Sequence, residues 1–168
     1  DIPCRKDIYR AYYIGYQYDI IKNKTDILGA IILKWLKDGM IRIESKETGT
    51  IFKKENIVIV LKETNPDNFE ENREKELFKM LYKASKDGYL ESKEFEKWCE
   101  NSYSEILYWF DRIIDNEKAK LIQEGLIVEK EEGKIFKSKK CVATRRLKQE
   151  AIELAGLKRY LNEYTLIK

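Results

Sequence analysis

Apolar positions along the chain fall into alternating helical and strand rhythms. Tyr9, Tyr12, Tyr13 and Tyr16 recur at helical spacing and, with Tyr18, make the first 24 residues aromatic; core packing is the reading favoured over a ligand site. Thr25 or Asp26 can cap a second helix to about Asp38, in which Ile27, Leu28, Ala30, Ile31, Ile32, Leu33, Trp35 and Leu36 leave almost no polar face. Such a helix is expected to be covered on most sides. Ile41 and Ile43 then alternate with Arg42 and Glu44, and Ile57–Leu61 is strongly β-prone, so Ile41–Ser45 and Asn56–Leu61 predict a two-stranded ribbon. Asn65-Pro66-Asp67-Asn68 breaks the pattern.

The rhythm then repeats. A helix is predicted from about Glu70 to Ser85, with Leu77, Met80, Leu81 and Ala84 on one face. Asp87-Gly88 turns the chain, Ser92 can cap a short helix through Phe95 and Trp98, and Ser102-Tyr103-Ser104-Glu105 fits a capping box for a long helix to about Glu124. Leu126-Ile127-Val128 and Lys134-Ile135-Phe136, flanking Glu132-Gly133, predict a second small ribbon. A last helix runs from about Thr144 to Tyr164, with Leu147, Ala151, Leu154 and Leu161 on one side.

One phrase occurs twice. Trp35-Leu36-Lys37-Asp38-Gly39-Met40-Ile41 is echoed by Leu121-Ile122-Gln123-Glu124-Gly125-Leu126-Ile127. In each, an apolar helix ends at a glycine, which adopts left-handed backbone without a Cβ clash, and a strand follows. A helix stopping on glycine and feeding a β-ribbon is how the recognition helix and wing of a winged-helix domain begin. The expectation is an α+β, mostly helical chain: winged-helix-like domains at 1–64 and 66–137, then a basic linker and C-terminal helix over 138–168. Gly39 and Gly125 are the helix-stop residues.

Composition narrows the chemistry. Charged residues reach 38%, yet 33 Lys+Arg against 30 Asp+Glu leave only +3, short of the basic excess of a strong nucleic-acid binder. The chain has no histidine, which removes the usual general base and the commonest zinc ligand. Cys4, Cys99 and Cys141 are far apart and read as reduced thiols of a cytosolic setting. Asn23-Lys24-Thr25 matches a glycosylation acceptor but reads as a turn and cap. Glu70, Glu71, Glu74 and Glu76, and Glu129, Glu131 and Glu132, are abundant carboxylates with no sign of a catalytic pair. No motif indicates an enzyme, a cofactor, a metal or a small-molecule substrate.

DNA binding is the serious alternative for such a fold. The helix 26–38 offers Ile, Leu and Ala with only Lys34 and Lys37 outside its ends, where a reading helix needs polar side chains for base edges. The long helix mixes Glu105, Asp111, Arg112, Asp115, Glu117, Lys118 and Lys120, a face that would partly repel phosphates. Lys46, Lys53 and Lys54 on the first ribbon could touch a backbone. From Lys134 to Lys148 the charged residues are all basic: Lys134, Lys137, Lys139, Lys140, Arg145, Arg146 and Lys148. This is either a solvated linker or a membrane-proximal basic stretch, each residue gaining about 1 kcal/mol near anionic lipid.

The order of these pieces resembles the cytosolic region of the YciQ-type predicted membrane proteins, a bacterial and archaeal family of unknown function. The resemblance rests on Asp1-Ile2-Pro3, on Thr25–Ala30 leading to Leu36–Ile43, and on Arg145-Arg146-Leu147 followed by Leu157–Thr165. It implies a module at the cytoplasmic face of the cell membrane, attached through segments absent from this chain and serving an unknown protein partner. The opening Asp1, rather than Met, agrees with a piece of a longer protein. Similar proteins carry a hydrophobic hairpin between the second wing and the final helix. Here Lys140 passes almost directly to Arg145, so the expectation is that this hairpin has been removed.

Overall fold

The computed structural model describes residues 3–48, 54–132 and 138–164. It is α+β and mostly helical. Among the described residues the order is α1 (Ile8–Gln17), α2 (Asp26–Lys37), β1 (Arg42–Thr48), β2 (Lys54–Val60), α3 (Asn72–Ser85), β3 (Tyr89–Glu91), α4 (Ser92–Asn101), α5 (Tyr103–Gln123), β4 (Ile127–Glu132), β5 (Ser138–Ala143) and α6 (Arg145–Tyr164), with short 3-10 turns at Pro3–Lys6 and Pro66–Asn68.

The chain divides into two compact units, one from residues 1–27 and 110–168, the other from Leu28 to Trp109. This differs from the expected division near residue 65. Strand pairing is the reason: β3 lies antiparallel beside β2, with Ile59 opposite Leu90, so residues following the Asn65-Pro66 breaker complete the sheet begun before it. The sheet order is β1-β2-β3. The pairing continues through Gly88, whose carbonyl accepts from the N–H groups of Leu61 (2.8 Å) and Lys62 (3.1 Å). A Cβ at Gly88 would lie 2.4 Å from the Cβ of Lys62, and its φ is +85°, so only glycine permits this approach.

Within the unit Leu28–Trp109, Val58, Val60 and Leu61 turn inward, while alternation sends Ile43, Ile57 and Ile59 to the other face of the ribbon. Trp35, Phe69 and Phe78 form an aromatic cluster with ring centroids 4.9–6.0 Å apart. The buried Glu74 of α3 accepts from the Trp35 indole (2.7 Å) and pairs with Lys34 (2.9 Å). Burying that carboxylate is tolerable because both oxygens are hydrogen-bonded and a cation is present. Expected to be covered on most sides, α2 buries Ile27, Leu28, Ile31 and Trp35 but leaves Leu33 66% exposed.

In the unit built from the two ends of the chain, Tyr13 and Ile14 of α1, Leu121 of α5, Leu126, Ile127, and Leu147 and Ala151 of α6 pack around Cys4. Asp7 caps α1, accepting from the N–H groups of Tyr9 and Arg10. Tyr9, Tyr12 and Tyr13 are buried as core, whereas Tyr18 reaches solvent. The outer half of α6 departs from expectation, because Leu161 is 44% exposed.

A second correction concerns residues 138–143, expected as a linker. They form β5, antiparallel to β4 with Glu131 opposite Lys139, Glu129 opposite Cys141 and Ile127 opposite Ala143. The return strand expected at Lys134–Phe136 lies outside the described residues. Glu131 opposite Lys139, and the diagonal pairs Lys139–Glu129 and Lys140–Glu132, offset the like-charged pair Lys130–Lys140 and let a lysine-rich segment be a strand.

Candidate functional site

Gly39 and Gly125 do the same work in both copies of the repeated phrase. Their φ values are +69° and +70°. The N–H of Met40 donates to the carbonyl of Trp35 (2.8 Å) and that of Gly39 to Leu36 (3.2 Å); Leu126 donates to Leu121 (2.9 Å) and Gly125 to Ile122 (3.0 Å). Both are complete Schellman motifs. A Cβ at either glycine would meet nothing within 4 Å, so their requirement is purely a backbone one.

The structure describes five of the seven basic residues and divides them between β5 and α6. Lys134 and Lys137, like Lys53 of the first ribbon, lie outside the described residues. Lys139 and Lys140 sit on β5, where they pair with Glu129 (3.4 Å) and Glu132 (3.5 Å). The described ribbon thus sets Lys139 and Lys140 of β5 beside Glu129, Glu131 and Glu132 of β4, with Lys130 opposite Lys140. Arg145, Arg146 and Lys148 are exposed on the first turn of α6. A helix N-terminus carries partial positive charge, so three cations there raise the local potential instead of complementing it. Of the two candidate reading residues on α2, Lys34 is held by Glu74 (2.9 Å) and Lys37 is exposed.

Sequence reasoning missed an ion cluster. Arg10 of α1, 4% exposed, grips Glu150 of α6 through two parallel bonds (2.7 and 2.8 Å) and also donates to Glu124 (2.8 Å) beyond α5. Burial alone would lower the guanidinium pKa, but the hydrogen bonds to Glu150 and Glu124 outweigh it and raise it. Glu124 in turn is held below the usual carboxylate range by the Arg10 bond. Nearby, burial first and Glu150 second push the Cys4 thiol up to about 11, so it stays a neutral core group. The three residues are too far apart in sequence for any local pattern to connect them.

The carboxylates near the start of α3 are likewise accounted for by structure: Glu74 as above, and Glu71 by a contact from Arg73 (3.2 Å). No group of three or more Cys, Asp or Glu suited to a metal ion occurs among the described residues. The cysteines Cys4, Cys99 and Cys141 are unpaired.

Several cavities lie within single units, and two of them combine tyrosine with lysine. One, of about 400 Å³, opens beside Tyr13, Tyr18, Asp115, Lys118 and Cys141. The other, of about 300 Å³, lies where the chain leaves β2 and passes α3, with Phe78 and Tyr82 facing Lys62, Thr64, Lys79 and Lys83. No helix among the described residues is long and apolar enough to cross a membrane. Comparison of the chain with family models, with curated proteins and with solved structures gives no match.

Proposed function

We propose that the chain is a non-enzymatic protein-interaction or scaffolding module, made of winged-helix-like units and held at the cytoplasmic face of a membrane by segments outside this chain. The observation that carries the interaction reading is the outer face of the first ribbon. Ile43 and Ile57 are 49% and 56% exposed on the side opposite the buried Val58 and Val60. Isolated exposed apolar residues are ordinary, but branched aliphatic side chains gathered on one sheet face leave apolar area for a partner to cover.

The winged-helix reading is supported by the two Schellman-stopped helices and by strand order. In a winged helix a short strand lies beside the second strand of the wing. Here β3 takes that place beside β2, although α3–β3–α4 follows the ribbon in sequence instead of preceding it. The nucleic-acid alternative loses support from Lys34, Lys139 and Lys140, whose charges are matched by carboxylates.

A photo-crosslinking amino acid at position 57, incorporated in cells, tests the proposal. The expected result is a discrete protein adduct that Ile43→Glu abolishes. Absence of any discrete adduct, with tight binding of nonspecific duplex DNA at about 50 mM salt, would overturn it in favour of the alternative.

A further inference from the structure

The cavity between the end of β2 and α3 combines an aromatic surface with a lining whose charged residues are all lysines. Phe78 is buried beneath it, and Tyr82, 39% exposed, sits with its ring 6.1 Å away and tilted by 41°. Lys62, Lys79 and Lys83 line the same space, and no acidic residue does. Glu63 pairs with Arg42 and Asp67 with Lys75, so each is shared; Glu63 also acts on Lys62 and Asp67 on Lys79, which leaves the three-lysine cluster only partly balanced. Lys62 lies 4.9 Å from the centre of the Tyr89 ring, which steadies its ammonium group without neutralising it. Lysines scattered on a helix are usually a solvated face. Three that converge on an exposed aromatic edge and a cavity, with the local carboxylates shared with Arg42 and Lys75, form a more specific arrangement.

We propose that this cavity binds a phosphorylated aromatic small molecule of the nucleoside-monophosphate class. The planar ring lies against Tyr82, with the buried Phe78 as the floor beneath it, and the phosphate sits among Lys62, Lys79 and Lys83. Aromatic faces accept any base by stacking, and lysine binds phosphate as a point charge. A phosphate dianion matches three cations better than a single carboxylate does. At about 300 Å³ the cavity is at the small end of ligand sites, which suits one nucleotide-sized group and not a polymer.

Calorimetric titration of the full chain with AMP, adenosine, inorganic phosphate and a single-stranded tetranucleotide at about 50 mM salt tests this. AMP is expected to bind at least about tenfold more tightly than adenosine or phosphate. The double variant Lys79→Gln/Lys83→Gln, at exposed positions, should weaken AMP about tenfold without moving the melting temperature, and Tyr82→Ala should weaken AMP but not phosphate. AMP binding no tighter than phosphate, AMP binding unchanged in the variants, or a clear preference for the tetranucleotide would each overturn the proposal.

Discussion

The two helix–glycine–ribbon units begin from the same local phrase and end in different structures. Both helices stop at a glycine in left-handed conformation with the same pair of backbone bonds. Beyond that point they part. The first ribbon places Val58 and Val60 against a core and gains a third strand. The second has only β4 and β5; past Ile127 every β4 residue is exposed, and its strands are matched through glutamate and lysine. Stopping a helix is a local matter of backbone geometry, whereas the fate of the strand depends on which face finds apolar neighbours.

The sharpest way to break this contrast is to place the same charge in each ribbon. Val58→Lys should destabilise its unit by about 4 kcal/mol or more, since an unpaired ammonium would be buried where Val58 shows no exposure. Val128→Lys, at a position 42% exposed, should change stability by about 0.5 kcal/mol or less. All three tryptophans lie in the unit Leu28–Trp109, so their fluorescence during denaturation reads Val58→Lys, while hydrogen exchange across β4 and β5 reads Val128→Lys in the other unit. Equal effects of the two substitutions would abolish the distinction.

Next in size is the ion cluster of the other unit. Arg10→Ala leaves Glu150 facing Glu124 without its cation and should cost about 3 kcal/mol, read as faster hydrogen exchange in α6. The pH dependence has a definite sign. The Glu124 carboxyl is lowered from the ordinary 4.5, so its contribution is present above that value and is lost as pH falls through the lower native value. Acidification below 4.5 should therefore weaken the Arg10–Glu124 contact and loosen the C-terminal end of α5 in the parent protein, with little further effect in Arg10→Ala.

The smallest effects sharpen the shared half of the comparison. Gly39→Ala and Gly125→Ala should each cost about 1 kcal/mol in thermal or chemical denaturation, and by similar amounts, because both meet only the backbone penalty. Gly88→Ala should exceed both, since its Cβ would also collide with Lys62.

Much of the local structure was legible from pattern. The helical spacing of Tyr9, Tyr12 and Tyr13 marked α1, the Ile–Val run marked β2, and the stop glycines marked where helices end. The capping of α4 was read one residue late: its N-cap is Glu91, whose N–H donates to Glu94 (3.1 Å), not Ser92. The segment Ser138–Ala143 was not legible as a strand, because Lys139 and Lys140 make sense there only against glutamates several residues upstream. The lysine-lined cavity was equally hidden, since Lys62 belongs to the exit of β2 while Lys79 and Lys83 come from α3.

By itself the amino-acid sequence determined the helices, the first ribbon, the α+β class, and the positions of Gly39 and Gly125, because propensity, periodicity and left-handed backbone act within a few residues of chain. Tertiary structure alone decided that β3 joins the first ribbon, that the chain's two ends form one unit around Cys4, and that Arg10 meets Glu124 and Glu150. Those outcomes depend on burial and charge pairing between residues as far apart as 140 positions, where no local preference reaches.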